Sequence, residues 1–193
     1  MHRTAGQITA EVRCRAPAEG ISLVSMIGLR GLEQRQSFVN QLQMALFSWI
    51  NKHPADGGQL GALFVMDEAP ELVPSRGVTV CTESTIRLAA QARKYGLGLI
   101  FGAQSPTGVH NQIPGNATTQ LYGRLSHPTQ IDRARELAHA KGGDIPDIAR
   151  LTAGQFYLGA EGRKFEKIRT PMCLSHDAGP LTEDEIIARA NRS

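Results

Sequence analysis

Residues 61–74 read GALFVMDEAPELVP, and they place two acids, Asp67 and Glu68, directly after an apolar run. A short run of this kind predicts a strand that is buried on both faces of a parallel sheet. Acids do not belong inside such a strand, but they fit at its carboxyl end, where open α/β sheets bind ligands. The pair suits nucleotide hydrolysis on Mg²⁺, because one carboxylate can hold the metal and the other the attacking water. The plainer alternative is a strand that ends in solvated acids.

The composition is that of an ordinary globular protein. The 193 residues are 41% hydrophobic and 20% charged, with a net charge of +3, which permits a polyanionic partner without requiring one. The three cysteines are widely spaced and form no disulfide framework, which favours a reducing compartment. Cys173 and His176 have the spacing of two zinc ligands but lack a second pair. With neither a signal peptide nor an apolar run of about 20 residues, we expect a cytoplasmic protein with no membrane partner.

Strand-like and helix-like patterns alternate along the chain, which implies a parallel sheet with right-handed crossovers. The clearest helices are predicted at residues 32–52 and 128–140, and a short one at 107–113. Residues 118–125 are predicted to be a further strand of the sheet. The predicted fold class is therefore α/β, a mostly parallel sheet flanked by helices, with a C-terminal β-hairpin and a short helix.

Polar residues follow three consecutive predicted strands, and in a parallel sheet their ends share one edge. Asp67 is predicted to hold Mg²⁺ through water. Glu68 is predicted to orient or deprotonate the attacking water, a role worth about 10²–10⁴-fold in rate. Gln104 can hydrogen-bond that water or the γ-phosphate of ATP. Arg124 or Arg93 can offer a guanidinium to phosphate charge, within the subunit or across an interface.

Each of the last three residues also has a plainer interpretation. Gln104 is equally suited to capping a loop. Arg124 fits a surface arginine on an edge strand. Arg93 and Lys94 stand in the last turn of a predicted helix, where cations complement the helix dipole.

Two segments together resemble the second half of a HerA/FtsK-superfamily ATPase core, and the match is closest to the HerA-like branch. They are LFVMDEAPELVPS at residues 63–75 and ARKYGLGLIFGAQSPTGVHNQIPGNATTQLYGRL at residues 92–125. The tail GQFYLGAEGRKFEKIRTP is similar to the hairpin that closes the core of that family. The resemblance covers roughly residues 21–171, but only residues 61–125 are specific.

The resemblance implies a RecA-like P-loop NTPase that uses ATP and Mg²⁺ to translocate or process DNA. It implies that Asp67 and Glu68 end the Walker B strand, that Gln104 is the sensor glutamine, and that Arg124 is a candidate finger acting on a neighbouring subunit. It also implies a homo-oligomer, a hexameric ring in the full-length protein, with a nuclease as a further partner.

The expected organisation has three parts. Residues 1–20 are a weakly structured segment or an edge strand, residues 21–175 a partial RecA-like core, and residues 176–193 a C-terminal helix or tail. One departure from the family is Pro70, where HerA-like proteins often carry a histidine. The resemblance therefore does not imply coupling to the ring neighbour through this position.

A larger departure is the phosphate-binding Walker A loop, G-x-x-x-x-G-K-[ST], which is absent because none of the 20 glycines is followed by lysine. We therefore expect that these residues alone do not hydrolyse ATP, and that the sheet has an exposed edge. The chain would be the C-terminal part of a longer ATPase, which the retained Asp67, Glu68 and Gln104 favour, or a natural truncation. The alternatives in function are a non-catalytic ring-assembly or regulatory module, and part of a conjugative or type IV secretion ATPase.

Overall fold

The computed structural model describes residues 11–14, 20–55, 59–172, 179 and 181–190. Cys173 and His176 lie outside these residues. The strands and helices, in chain order, are β1 (Glu11–Cys14), β2 (Ile21–Val24), α1 (Leu32–Lys52), β3 (Ala62–Met66), α2 (Thr82–Gln91), β4 (Leu97–Phe101), α3 (Gln112–Asn116), β5 (Thr119–Tyr122), α4 (Pro128–Ala140), β6 (Gln155–Ala160), β7 (Glu166–Arg169) and α5 (Glu183–Ala190). The described residues also contain three short 3₁₀ turns, at Ala69–Glu71, Ala92–Tyr95 and Ile148–Arg150.

The chain divides into two compact units, Met1–Arg35 with Leu174–Ser193, and Gln36–Cys173. In the first unit, β1 and β2 pair as an antiparallel ladder. A capping box starts α5, since the Thr182 N–H donates to Glu185 Oε2 at 2.8 Å and the Glu185 N–H donates to Thr182 Oγ1 at 3.4 Å. All the predicted site residues lie in the second unit, and the predicted domain boundaries at residues 20 and 175 stay predictions.

The second unit is built on the parallel pairing of β3 with β4. The register runs from Ala62 opposite Leu97 to Met66 opposite Phe101, and α2 forms the crossover between the two strands. The helices α1 and α2 cover one face of this ladder. The predicted α/β fold class, with a parallel ladder flanked by helices and a C-terminal antiparallel hairpin, is confirmed. The apolar residues packed between the ladder and these helices include Leu46, Phe47, Ile50, Phe64, Leu88, Ala92, Leu97 and Leu99.

The strand β5 has a different neighbour from the one that the sequence predicts. It pairs antiparallel with β6, from Thr119 opposite Ala160 to Tyr122 opposite Tyr157, and not with β4. The hairpin strand β7 pairs on the other side of β6. A second core holds this three-stranded sheet against α4, so β5 is fixed by contacts with residues that lie later in the chain. That core contains Ala134, Ala138, Ile145, Ile148, Leu151 and Tyr157.

The short helix predicted at residues 107–113 is wrong in position, because α3 spans Gln112–Asn116. An isolated bridge between Pro74 and Val109 keeps the earlier part extended. The His110 N–H donates to the Val73 carbonyl at 3.0 Å across the same bridge. Tertiary pairing therefore delays the start of this helix by several residues.

A buried amide ties α1 and α2 together beneath the end of β3. Gln43 is fully buried. Its Nε2 donates to Thr85 Oγ1 at 3.0 Å and contacts Met66 Sδ at 3.5 Å, while its Oε1 accepts from Ser84 Oγ at 2.6 Å. The side chain is therefore fully paired although it is out of reach of water.

The helix α1 is 21 residues long, and its bounds match the predicted ones. It buries two apolar and two polar side chains, which are Gln36, Val39, Gln43 and Ile50. Neither α1 nor any other helix in the described ranges combines the length and the apolar character that a bilayer crossing requires.

The stability of the second unit should fall at acidic pH through Asp147. Lys167 Nζ donates to Asp147 Oδ2 at 2.6 Å and the Tyr157 hydroxyl donates to Oδ1, and these bonds hold the pKa of the Asp147 carboxyl below its usual 3.8. A depressed pKa stabilises the folded state above the unfolded-state pKa, and this stabilisation is lost as the pH falls through the folded value. We expect the denaturant midpoint of Asp147→Asn to change less between pH 5 and pH 3 than the midpoint of the unsubstituted chain does. These pH values lie about one unit on either side of the usual aspartate pKa.

The matched control is Asp132→Asn, because Asp132 has no ion-pair or hydrogen-bond partner in the described part of the chain. An identical acid dependence in the Asp147 and Asp132 variants would contradict this assignment.

Candidate functional site

The structure brings Glu68 and Gln104 into direct contact at the carboxyl edge of the β3–β4 ladder. Asp67 and Glu68 follow β3, and Gln104 follows β4 by a few residues. Gln104 Nε2 donates to Glu68 Oε2 at 2.8 Å. These three polar side chains, which the sequence predicts to share an edge, therefore form one cluster at the ends of neighbouring strands.

Backbone bonds extend the pairing beyond the two strands and fix the cluster. The Gly102 N–H donates to the Met66 carbonyl at 2.8 Å, and the Ala69 N–H donates to the Gly102 carbonyl at 2.9 Å. A Cβ atom on Gly102 would lie 2.9 Å from Asp67 Oδ1, closer than real Cβ contacts allow. Gly102 is therefore needed for the Asp67 carboxylate to lie against the end of β4. The sequence analysis did not identify this role, although the glycine of FGAQ at residues 101–104 indicates it.

Glu68 adopts a left-handed backbone conformation, with φ 51° and ψ 49°. It is the only non-glycine residue with positive φ among the residues that the structure describes. The Glu68 N–H donates to Asp67 Oδ1 at 3.0 Å, a local bond that helps to hold this conformation. Non-glycine residues in this region cost free energy and are concentrated at functional sites. Backbone strain therefore coincides with the acid that the sequence predicts to handle the attacking water.

Pro70, the departure from the HerA-like pattern, has a structural role. It stands at the start of the Ala69–Glu71 3₁₀ turn that follows Glu68, where its fixed φ suits the turn. Its ring lies beside Gly108, at which a Cβ would come within 3.1 Å of Pro70 Cγ. The proline thus ties the turn after the acids to the loop that follows Gln104.

The residues present fit a hydrated Mg²⁺ ion held together with phosphates. Asp67 is exposed, and only its Oδ1 has a hydrogen-bond partner in the described part of the chain, the Glu68 N–H. Among the same residues no group of three or more His, Cys, Asp and Glu side chains is positioned to hold a metal ion. Mg²⁺ is commonly held by one or two carboxylates plus waters and substrate phosphates, so Asp67 suits such a role without a dedicated cage.

The structure does not bring Arg93 to the acids. Arg93 precedes β4, whereas Gln104 follows it, and a five-residue strand rises about 3.3 Å per residue between them. Arg93 Nη1 instead forms an exposed ion pair with Glu161 Oε2 at 3.5 Å. The role of Arg93 toward phosphate across a subunit interface stays a prediction, and the geometry offers no support for one within the subunit.

Arg124 is exposed and follows the end of β5. Within the described residues its side chain has no hydrogen-bond or ion-pair partner. Because β5 does not pair with β4, no shared ladder places Arg124 beside Asp67 and Glu68. Its role as a finger stays a prediction.

Two clefts of about 490 and 420 Å³ lie in this unit, and neither is lined by Asp67, Glu68 or Gln104. The larger is lined by β4, the end of α2 and the start of β5. The candidate site therefore lies apart from both of these clefts.

No protein-family model and no curated protein matches the sequence. Solved structures do match it in fold. The genome-packaging NTPase B204 from Sulfolobus turreted icosahedral virus 2 is similar in its complex with AMPPCP, with a TM-score of 0.54, 18% identity, and 72% of this chain and 66% of that chain covered. Its complex with ATP-γ-S gives a TM-score of 0.51, 17% identity, and coverage of 71% and 62%.

The pCW3 conjugation coupling protein TcpA, with ATP-γ-S, gives a TM-score of 0.44, 22% identity, and coverage of 72% and 43%. The chain spans less than two thirds of the length of the solved chains it matches. At these identities the likeness to B204 shows the fold alone. That fold is consistent with a partial RecA-like NTPase core.

Replacing Glu68 by glycine should stabilise the isolated chain. Glycine adopts the left-handed region without the Cβ clash that a glutamate must tolerate, so we expect the free energy of unfolding to rise by about 1 kcal/mol. Urea denaturation followed by circular dichroism measures this change. Arg76→Gly, at an exposed loop position without positive φ, is the control and should be neutral or destabilising. A loss of stability in Glu68→Gly would contradict this prediction.

Proposed function

We propose that this chain is the Mg²⁺ and water side of an ATP-hydrolysing site in a HerA/FtsK-type P-loop NTPase. The observation that carries the proposal is the bond from Gln104 Nε2 to Glu68 Oε2, formed beside Asp67 at adjacent parallel strand ends. The fold shared with B204, whose structures hold ATP analogues, supports the same assignment.

Each residue of the cluster has a chemical role in this proposal. Asp67 would hold hydrated Mg²⁺ through water, and the metal, when bound, would supply charge neutralisation at the phosphates. Glu68 accepts a hydrogen bond from the attacking water and receives its proton, in the manner of a general base. Gln104 keeps the Glu68 carboxylate in place through one N–H. Its amide oxygen can accept a hydrogen bond from the attacking water, and its second N–H can donate to the γ-phosphate.

The wider proposal concerns oligomeric state and substrate. The family resemblance supports a hexameric ring in which Arg124, or Arg93, reaches a neighbour's phosphates, and it supports DNA as the translocated polymer and a nuclease as a further partner. B204 is a genome-packaging NTPase, which favours DNA for this chain as well. Arg76 and Lys141 are exposed loop cations that can meet DNA phosphates, although Lys141 Nζ also donates to the Gly115 carbonyl at 3.2 Å.

Glu68→Gln should strongly reduce turnover without abolishing nucleotide binding. We expect residues 1–193 alone to release no phosphate from ATP in the steady state, because no lysine-bearing loop holds the phosphates. With a phosphate-binding segment present in the native protein, Glu68→Gln should lower kcat by about 10²–10⁴-fold, since the amide cannot take a proton. A phosphate-release assay measures kcat, and fluorescent-nucleotide titration measures binding.

The control is Glu166→Gln, which makes the same change at an exposed position of β7 and should leave kcat unchanged. Turnover by residues 1–193 alone that disappears in Glu68→Gln would contradict the half-site assignment. An unchanged kcat for Glu68→Gln in the native protein would contradict the role of Glu68, and no turnover by the unsubstituted native protein would favour the non-catalytic assembly module.

DNA binding should depend on salt and partly on Arg76. Each phosphate neutralised adds about 0.9 to the slope of log affinity against log salt, so Arg76→Ala should reduce that slope by about one. Fluorescence anisotropy of labelled duplex at several salt concentrations measures the slope. Arg163→Ala removes the same charge from the β6–β7 turn and should leave the slope unchanged. A flat response to salt in the unsubstituted protein would argue against phosphate contacts.

A further inference from the structure

A buried glutamine near the start of α1 holds the backbone that follows the two acids. Gln36 is only 8% exposed, and its Nε2 donates to the Glu71 carbonyl at 2.8 Å. Glu71 ends the 3₁₀ turn Ala69–Glu71, and the last carbonyls of a helical turn have no partner inside that turn. The Gln36 amide supplies such a partner from a helix that lies much earlier in the chain. The bond therefore fixes the end of the turn against α1.

The same turn is closed onto Glu68. The Glu71 N–H donates to the Glu68 carbonyl at 3.1 Å. Glu71 is thus bonded through its N–H to the acid and through its carbonyl to Gln36. A displacement of Glu71 relative to α1 would reach Glu68 through a single hydrogen bond.

A second buried glutamine on α1 contacts the residue that precedes the acids. Gln43 is fully buried, and its Nε2 contacts Met66 Sδ at 3.5 Å. Gln36 and Gln43 stand about two helical turns apart, so their side chains lie on the same face of α1. The segment from Met66 to Glu71 is therefore held by α1 at both of its ends, with the two acids between them.

The left-handed backbone of Glu68 depends on such support. A non-glycine residue in this region costs free energy and persists only where its surroundings over-determine its conformation. On the β4 side the support comes from the backbone of Gly102, whereas on the α1 side it comes from the Gln36 side chain. Without the Gln36 bond the turn can unwind and the φ angle of Glu68 can return to negative values. The Glu68 carboxylate would then leave the position in which it accepts from Gln104 Nε2.

We infer that Gln36 is a positioning residue for Glu68. It holds the Glu71 carbonyl, and through the turn it maintains the left-handed backbone that directs the Glu68 carboxylate to Gln104. The position of α1 thereby controls the geometry of the acid, although α1 carries none of the three polar residues of the cluster. That this control changes the rate of hydrolysis rests on the proposed function, whereas the control of the backbone does not.

The test follows the Glu68 backbone by NMR of residues 1–193. A positive φ brings the amide and α protons of a residue close together, so the nuclear Overhauser effect between them is strong. We expect a strong effect at Glu68 in the unsubstituted chain and a weak one in Gln36→Met, because methionine preserves the length of the side chain and lacks a donor. The side-chain amide protons of Gln104 should also exchange faster with water in this variant, since their acceptor has moved.

The matched control is Gln41→Met, the same change at an exposed position of α1, which should leave both signals unaltered. Gln36→Lys retains a donor and should restore both signals. If Gln36→Met does not fold, Gln36→Leu also lacks a donor and takes its place. A strong Glu68 effect in the folded donor-free chain, or equal changes in Gln41→Met, would overturn the inference.

The consequence for the reaction is tested in the native protein with a phosphate-binding segment present. Gln36→Met should lower kcat about tenfold or more and leave KM for ATP nearly unchanged, because Glu68 is displaced and the phosphate contacts are not. Gln36→Lys should restore kcat, which a general effect on stability would not explain.

The inference and the proposed function can fail separately. A weak Glu68 effect in Gln36→Met, together with an unchanged kcat in Glu68→Gln, would leave the backbone role of Gln36 standing and count against the ATPase proposal. A reduced kcat in Glu68→Gln, together with an unchanged kcat in Gln36→Met, would leave the ATPase proposal standing and overturn the inference.

Discussion

The backbone pairing of β3 with β4 is the constraint on which the candidate site depends. The register that sets Met66 opposite Phe101 continues through Gly102, and it places the acids after one strand beside the amide after the other. A slip of one residue would turn every side chain of the shifted strand to the opposite face. Phe64 would then leave the core, and Glu68 would no longer meet Gln104. Core packing and site geometry are therefore fixed by the same register.

Much of this arrangement can be predicted from residue types. The helices Leu32–Lys52 and Pro128–Ala140 have the predicted bounds, because regular apolar spacing and clear breakers define both. The position of Asp67 and Glu68 at a strand end follows from the contrast between an apolar run and two charges. These helix bounds and the position of the two acids are determined by neighbouring residues in the sequence, so they can be predicted without knowledge of tertiary contacts.

Other features depend on contacts between residues distant in sequence. The partner of β5 is β6 because a later hairpin and α4 provide its packing, and an alternating pattern in residues 118–125 does not specify its neighbour. The left-handed backbone of Glu68 is surrounded by contacts with Asp67 and with the backbone around Gly102. Nothing in the residue type of a glutamate indicates that conformation. Strain at the site was thus beyond sequence reasoning, while the identity of the acids was not.

The buried Gln43 side chain has a consequence for how uniquely the unit folds. Its amide is paired with Ser84 and Thr85 of α2 only when α1 lies in the observed position. If α1 slid by one turn, the amide would be left dry and unpaired, at a cost of about 1–3 kcal/mol. The Gln43 side chain alone therefore disfavours a shifted packing of α1 against α2, even one that buries as much apolar surface. The same amide contacts Met66, the residue that immediately precedes the acids. The position of α1 is therefore linked to the position of the strand end that carries the acids.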